Sequence, residues 1–354
     1  MTKLSYAVCT FDRADRLPRL LAAMRAQSTR LPLEVVVIDN NSSDNTREVV
    51  LAQARKPGVP IRYVFESEPG IVHARNRAIE STLDAAILAF IDDDELPSDG
   101  LLSSVENAIL DEKADVVGGR INVHFEDRVR PPWLSDELLG FLGKSDYGDE
   151  PFWITTTDHP LWTGNIAYDV TLFRAFPELR FDARWNRVGK ETGGGEDRMM
   201  FLEMRDRQFR MRYRPEMVIE HLVESSRLKR TYFLKLHYEA GRKNALFHLP
   251  DYPKSALGAP PFMYRQAVLA AWQAGGASLR RAPDRIRTAM NAMYALGMIK
   301  GTRERRSHAS VSGTESRLGA PRDDEPRPNR EDPRVTTNRP DASGLRRARS
   351  ELHQ

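Results

Sequence analysis

The chain has 354 residues, 40% of them hydrophobic, with 53 Lys and Arg against 50 Asp and Glu and one cysteine. That is apolar content for one large or two modest domains, but no apolar run approaches the ~20 residues of a membrane span, and a lone cysteine excludes an intramolecular disulfide or a cysteine-based zinc site. The surplus positive charge lies from Gly301 onward, where 12 Arg face 9 acids, so a nucleic-acid function would have to reside in that tail alone, and none is expected.

Met1–Ser5 leads straight into a strand-like segment, without the charged, apolar and cleavage regions of a signal peptide, so a cytoplasmic location is expected. Leu4–Cys9 reads as a first strand ending in Thr10-Phe11-Asp12-Arg13. Leu17, Leu20, Leu21 and Met24 recur at helical spacing, with Pro18 tolerated in the first turn. Leu33–Ile38 is β-branched, as a buried parallel strand is, and runs into the turn cluster Asp39–Asp44 ahead of a helix from Asn45 to Ala54. Ile61–Phe65 is a third strand, followed by Pro69-Gly70 and a helix carrying His73-Ala74-Arg75-Asn76-Arg77. Ala85–Ile91 is a fourth, driving into Asp92, Asp93, Asp94 and Glu95.

Strands alternating with helices imply a parallel α/β sheet with right-handed crossovers. The polar ends Thr10–Arg13, Asp39–Asp44 and Asp92–Asp94 then share the carboxyl edge, where such sheets bind ligands. The clustered acids repel one another unless water or a cation compensates them, and their hard oxygens suit Mg²⁺ or Mn²⁺ beside a phosphate. The plainer alternative is a solvated turn whose acids cap a helix starting near Ser98. Further on, residues 120–160 form a loop-like insertion rich in aromatics and proline. Leu161-Trp162-Thr163-Gly164-Asn165 reads as a turn bringing backbone close to a ligand, and Gly193-Gly194-Gly195 precedes Glu196-Asp197 at the start of an amphipathic helix through Met200, Phe201 and Met204. Met217–Glu220 is strand-like and ends at His221.

The ordered series TFDR, VVVIDNNSSDNT, PGIVHARNRA and FIDDDELP, followed by Trp162–Asn165, Gly193–Asp197 and His221, resembles the family 2 glycosyltransferases over roughly residues 3–245. Residues 222–250 look closest to the branch that builds bacterial exopolysaccharides. The resemblance implies a GT-A (Rossmann-like) α/β fold, mostly parallel and flanked by helices, over residues 1–225, with a nucleotide-sugar half (1–118) and an acceptor half (119–225). It implies that Asp39 accepts a uracil N–H, with Thr10 and Arg13 completing the base pocket. Arg75 and Asn76 would face the diphosphate and ribose, and Asp92 the ribose or a metal-bound water. Asp94 and His221 would ligate Mg²⁺ or Mn²⁺, and Trp162, Gly164 and Asn165 would border donor sugar and acceptor. Asp197 would be the general base of an inverting displacement, with Glu196 orienting the acceptor or the base. Asp12 stands where the family often has Asn. Taken without the resemblance, Asp39 caps its turn, Asp44 caps a helix, Arg75 and Asn76 lie on a solvated face, and His221 is an ordinary core or surface histidine. The rings of Trp133, Phe141, Tyr147, Phe152 and Trp153 either stack on sugars or pack their loop.

Beyond residue 225, Leu228–Phe247 and Phe262–Lys300 read as helices, broken at Pro250–Pro261 and at Gly275-Gly276. Trp272, Leu279, Ile286, Met290, Met293, Tyr294 and Leu296 mix there with Arg280, Arg281, Arg285 and Arg287. This 226–300 extension has the pattern of a helix lying on an anionic membrane surface, or of one docked on its own domain or a partner. Residues 301–354 form a basic tail too poor in large apolar residues to fold, and are expected to be disordered. The expected protein is a UDP-sugar-dependent enzyme of cell-surface polysaccharide synthesis. Its acceptor would be a saccharide or lipid-linked saccharide, and it would be cytoplasmic or peripheral at the inner membrane. A nucleotidyltransferase would need a glycine-rich phosphate loop, and Thr10–Leu17 contains no glycine. A non-catalytic nucleotide-sugar-binding or scaffold protein would not need Asp39, Asp92, Asp94 and Asp197 together.

Overall fold

The computed structural model describes residues 3–125, 129–187, 194–250, 252 and 255–318, with side chains as far as Ser307. It divides into two compact units, one spanning Met1–Ser225 and one beginning at Ser226. In the first, β1 (Leu4–Thr10), β2 (Leu33–Asp39), β3 (Ile61–Phe65) and β4 (Ile87–Asp92) alternate with α1 (Leu17–Arg25), α2 (Thr46–Ala54) and α3 (Ile71–Ser81). They pair in parallel in the order β3-β2-β1-β4. Every residue of β1 and β2 is buried, and the polar pair within them is mutually satisfied, the Ser5 hydroxyl donating to Glu34 at 2.6 Å. The registers Thr10↔Asp39 and Cys9↔Asp92 bring the polar strand ends level on one edge, as the alternation of elements implies.

The second half of the sheet is mixed. It adds β5 (Glu95–Pro97), β6 (Val116–His124), β7 (Phe152–Trp153), β8 (Ile166–Asp169) and β9 (Met211–Leu222), with α4 (Leu101–Glu106), α5 (Thr171–Ala175) and α6 (Glu196–Asp206) between them. The order continues β4-β8-β6-β9-β5, with β7 also on β9. β8 runs antiparallel to both neighbours, β6 runs parallel to β9, and β5 and β7 run antiparallel to β9. Two expectations change here. The acids after β4 do not cap a helix: β5 intervenes, and α4 starts after Gly100 with no side-chain cap. Residues 120–124 belong to a strand rather than the insertion, because Gly118-Gly119 masks the β-pattern of β6. Gly119 is required there, since a Cβ would lie 1.9 Å from the Met217 carbonyl where the β6–β9 register shifts.

Side-chain alternation divides the core between the two faces of the sheet. Leu4, Tyr6 and Val8 pack with Leu17, Leu20, Leu101 and Leu102, whereas Ala7 and Cys9 pack with Val72, Ala74, Met200 and Phe201. Tyr147, Phe152, His159 and Tyr213 form a ring cluster with centroids 4.9–5.2 Å apart, so Tyr147 and Phe152 pack the insertion rather than present free faces.

The second unit is helical: α7 (Arg230–Phe247), α8 (Pro261–Leu279) and α9 (Arg285–Leu318). Gly275-Gly276 does not interrupt α8. Two glycines cost a helix ~1 kcal/mol each, and the break falls instead at Arg280–Asp284, where Arg281 adopts φ 49°. Nor does order stop at residue 300, because α9 continues through Gly301 to Leu318. The rest of the tail, 319–354, lies outside the described residues. Among the described residues no helix is long and apolar enough to cross a membrane. α7 and α9 meet backbone to backbone through glycines: a Cβ at Gly241 would lie 2.1 Å from the Tyr294 carbonyl, and one at Gly297 2.0 Å from that of Tyr238. Ala at position 297 favours helix by ~1 kcal/mol, yet here it drives the helices apart at a cost of ~1–3 kcal/mol. Gly297→Ala is therefore expected to lower the stability of this unit, read as a lower midpoint in urea.

Candidate active site

The site is built around Arg75 on α3. Only 2% exposed, its guanidinium reaches Asp92 at the end of β4 (3.3 Å) and both acids at the start of α6, Glu196 (3.1 Å) and Asp197 (2.6 Å). The face of the guanidinium lies over the Phe181 ring, 5.5 Å from its centroid. The helical periodicity that assigned Arg75 to a solvated face is overridden by these three carboxylates, which come from sequence positions 17 to 122 residues away. Burial disfavours the cation, but the acids more than compensate, and the guanidinium pKa is raised.

Asp197 Oδ1 also accepts a very short hydrogen bond from the Thr163 hydroxyl, which lies in the 3₁₀ turn Thr163–Asn165. Burial pushes the Asp197 carboxyl up to about 6, with Arg75 pulling against it and Glu196 pushing with it. Glu196 itself is buried, its Oε1 on Arg75 and its Oε2 accepting the Gly195 N–H at 2.9 Å. It therefore ties Arg75 to the start of α6 and is shielded from solvent. Gly195 has φ 135°, and a Cβ there would meet the Trp185 ring at 2.5 Å. Gly193 lies outside the described residues.

At the end of β1, the Thr10 hydroxyl donates to Asp93 (2.8 Å), with Arg13 Nε 4.0 Å from the same carboxylate. Arg13 and Arg16 share Glu224 at 2.8 and 3.0 Å. Burial and the charge of Asp94 push the Asp93 carboxyl up to about 7. Asp39, buried at the end of β2, accepts the Ser42 N–H (3.0 Å) and the Tyr63 hydroxyl (2.8 Å), so the turn-capping reading holds. Asp44 accepts from Thr46 N–H (2.9 Å) and from Ala14 N–H (3.2 Å), and the N-cap position itself is Asn45. Asp12, at φ 51°, takes the Ser43 N–H (2.7 Å) and so ties the loop after β1 to the loop after β2.

The antiparallel pairing of β5 with β9 sets Glu95 opposite His221. His221 Nδ1 lies 2.6 Å from the Leu142 carbonyl, which can only accept, so Nδ1 carries the proton. Nε2, the ring's other nitrogen, lies 3.4 Å from Asp94 Oδ2. This is the outer-shell arrangement that orients a metal-ligating histidine. Among the described residues no group of three or more His, Cys, Asp or Glu side chains could hold a metal ion. Asp94 and His221 fit a cation that takes its remaining ligands from phosphate oxygens and water, as Mg²⁺ does and as the oxygen preference of Mn²⁺ allows.

Not every expected residue faces the site. Asn76 does not: its amide donates to the Phe181 carbonyl (3.0 Å) and accepts the Phe181 N–H (2.9 Å), which fixes the segment that stacks on Arg75. Asn165 is likewise interior, its Nδ2 bridging the carbonyls of Arg120 (2.9 Å) and Met217 (2.8 Å) across the β6–β9 bulge. Trp162 packs, partly buried, against the core. Gly164 does border the acids: a Cβ there would strike the Glu95 carboxyl at 2.5 Å. Thr163, Asp93 and Glu95 have no role in the sequence-based expectation, yet all three take part here. Thr163 sits between two residues that were singled out, and Glu95 extends the acidic run, accepting the Asp92 N–H at 2.9 Å.

Residues 5–176 match the sequence model of the family described as Glycosyl transferase family 2. Succinoglycan biosynthesis protein ExoM of Rhizobium meliloti is 27% identical over 249 residues, 68% of this chain and 73% of that protein. Validoxylamine A glucosyltransferase of Streptomyces hygroscopicus is 36% identical over 105 residues, and the match spans 29% of this chain but 24% of that longer protein. Among solved structures, the mannosyltransferase PcManGT from Pyrobaculum calidifontis, in complex with GDP-Man and Mn²⁺, shares the fold. Its TM-score is 0.53 at 19% identity, covering 84% of this chain and 86% of that one.

Replacing Arg75 with Met leaves Asp92, Glu196 and Asp197 facing one another without a cation, a loss of about 3–5 kcal/mol. The folded-state pKa of Asp197, which Arg75 pulls down, then rises, and a carboxyl whose folded pKa is raised costs stability as pH climbs through it. The deficit of Arg75→Met against the wild type is expected to be larger at pH 8 than at pH 5, measured by urea denaturation at both.

Proposed function

We propose that this chain, which belongs to glycosyl transferase family 2 through residues 5–176, moves a glycosyl group from a UDP-sugar to the hydroxyl of a saccharide or lipid-linked saccharide, with inversion. The observation that carries the proposal is Asp197. Arg75 and Thr163 fix its Oδ1, its side chain is 22% exposed, and its pKa near 6 suits a general base at neutral pH. In the reaction Asp197 takes the proton of the acceptor hydroxyl as that oxygen bonds to the anomeric carbon. The bond from that carbon to the nucleoside diphosphate breaks on the opposite face, and the electron pair leaves with the diphosphate. Holding the two substrates in line contributes up to ~7–11 kcal/mol.

On the donor side, Asp39 has lone pairs beyond those used by Ser42 and Tyr63 to accept a base N–H. Thr10, Arg13 and Asp92 flank the same edge. Arg75 has a different task from the one expected of it: it holds the base in place rather than the diphosphate. Asp94 and His221 would hold Mg²⁺ or Mn²⁺, which when bound stabilises charge developing on the departing diphosphate. The Mn²⁺ and GDP-Man of the mannosyltransferase neighbour support a metal and a nucleotide-sugar donor, and the likeness to ExoM supports a place in polysaccharide synthesis.

Asp197→Asn is expected to lower kcat by about 10²–10⁴ while UDP still raises the melting temperature. Full activity in that variant sinks the mechanism. The pH profile of kcat/KM is expected to rise with pH to a plateau, with a midpoint near 6, because the ionised base is the active form. Thr163→Val removes a hydrogen bond that stabilises the carboxylate, so the midpoint is expected to move upward. UDP at a hundredfold excess over Kd is expected to stabilise the protein by about 2.7 kcal/mol in a Mn²⁺-dependent manner that Asp94→Ala abolishes. A response to GDP alone would reassign the base, and no response to any nucleotide would favour a scaffold.

A further inference from the structure

α8 is apolar on two opposite sides. Met263, Ala267 and Ala277 are buried, whereas Phe262, Val268, Leu269, Trp272 and Leu279 are 42%, 70%, 52%, 75% and 88% exposed. At 100° per residue these five fall within one ~120° arc opposite the buried side, a stripe about 26 Å long at 1.5 Å per residue. A helix on the surface of a globular unit ordinarily turns polar residues outward. Here the outward arc carries Arg265 in mid-stripe and Arg280 at its end, with exposed Arg281 in the following turn. No Asp or Glu occurs between Pro261 and Pro283. The structure also separates this stripe from residues the sequence groups with it: Ile286 and Met290 are buried.

We infer that the outward face of α8 is a docking surface for an anionic lipid bilayer. Apolar side chains in a row, with arginines among them and at one end and no acid within the helix itself, complement a surface of acyl chains beneath negative headgroups. The long arginine stems lie along the apolar face while their heads reach the phosphates. A second copy of the chain is a poorer occupant, because pairing this face with itself would bring the same arginines together and α8 carries no acid to receive them. The inference does not depend on the catalytic reading.

The test is co-sedimentation of the full chain with vesicles of pure phosphatidylcholine and of phosphatidylcholine mixed with phosphatidylglycerol. Binding is expected on the anionic vesicles, weakened by salt. Each basic residue near the surface is worth about fivefold (~1 kcal/mol), so Arg280→Glu with Arg281→Glu is expected to lower partitioning by more than tenfold. Trp272→Ser with Leu279→Ser is expected to lower it by at least about tenfold. All four positions are exposed, and unchanged circular dichroism and melting temperature establish that the variants fold. Equal partitioning onto neutral and anionic vesicles, or unaltered partitioning of either variant, overturns the inference. So does a dimer in light scattering that Trp272→Ser with Leu279→Ser dissociates while vesicle binding is absent, which would assign the face to a second copy.

Discussion

The rest of the site depends on a single buried cation. Arg75 is held by carboxylates from the end of β4 and the start of α6, and its planar fork suits contact with several of them at once. A buried ion cluster of this kind adds little net stability, since desolvation opposes the attraction. What it does is fix geometry. α3, β4 and α6 approach by different paths, and the guanidinium allows them one arrangement, with Asp197 beside the ends of β1 and β4. Phe181 closes the other side of the group, kept there by the amide of Asn76.

One positive charge does not neutralise the acids gathered around it. Asp93, Glu95 and Asp197 all have raised pKa values, with burial the first cause in each and neighbouring carboxylates adding to it. The edge thus carries surplus negative charge, relieved by protons or by a cation. The β5–β9 pairing contributes the histidine that the acidic run lacks. β5 is three residues long, yet it places His221 opposite Glu95 and so within reach of Asp94. Gly164 completes the packing, because any side chain there would collide with Glu95.

Much of this was legible in the residues. The β-branched run of β2 and the apolar stretches of β1 and β4 announced buried parallel strands, and the polar residues following them fall level on one edge. Asp197 was singled out by the glycines before it. Local periodicity carries no information about residues whose partners are distant. Arg75 and Asn76 share the polar side of an amphipathic pattern, yet one is the centre of the site and the other a structural clasp. Asn165, within a turn that looks ligand-facing, instead satisfies two backbone carbonyls at a bulge that only the pairing of β6 with β9 creates. Gly118-Gly119 hid β6 for the same reason: glycine has low strand propensity, and the close approach that demands it belongs to another strand.

The sequence by itself determined the alternation of strands and helices through β4, the family resemblance and the list of acids from which the site is drawn. These follow from short-range rules, in which periodicity, turn chemistry and strand composition act over a few residues. Only the tertiary structure decided which acids share Arg75, which hydroxyl meets Asp197 and which histidine faces Asp94. Those assignments rest on contacts between residues 17 to more than 120 positions apart. They depend on burial, which turns Arg75 from a solvated side chain into a fixed charge and raises Asp197 toward neutrality. No local pattern encodes a desolvation that other segments of the chain impose.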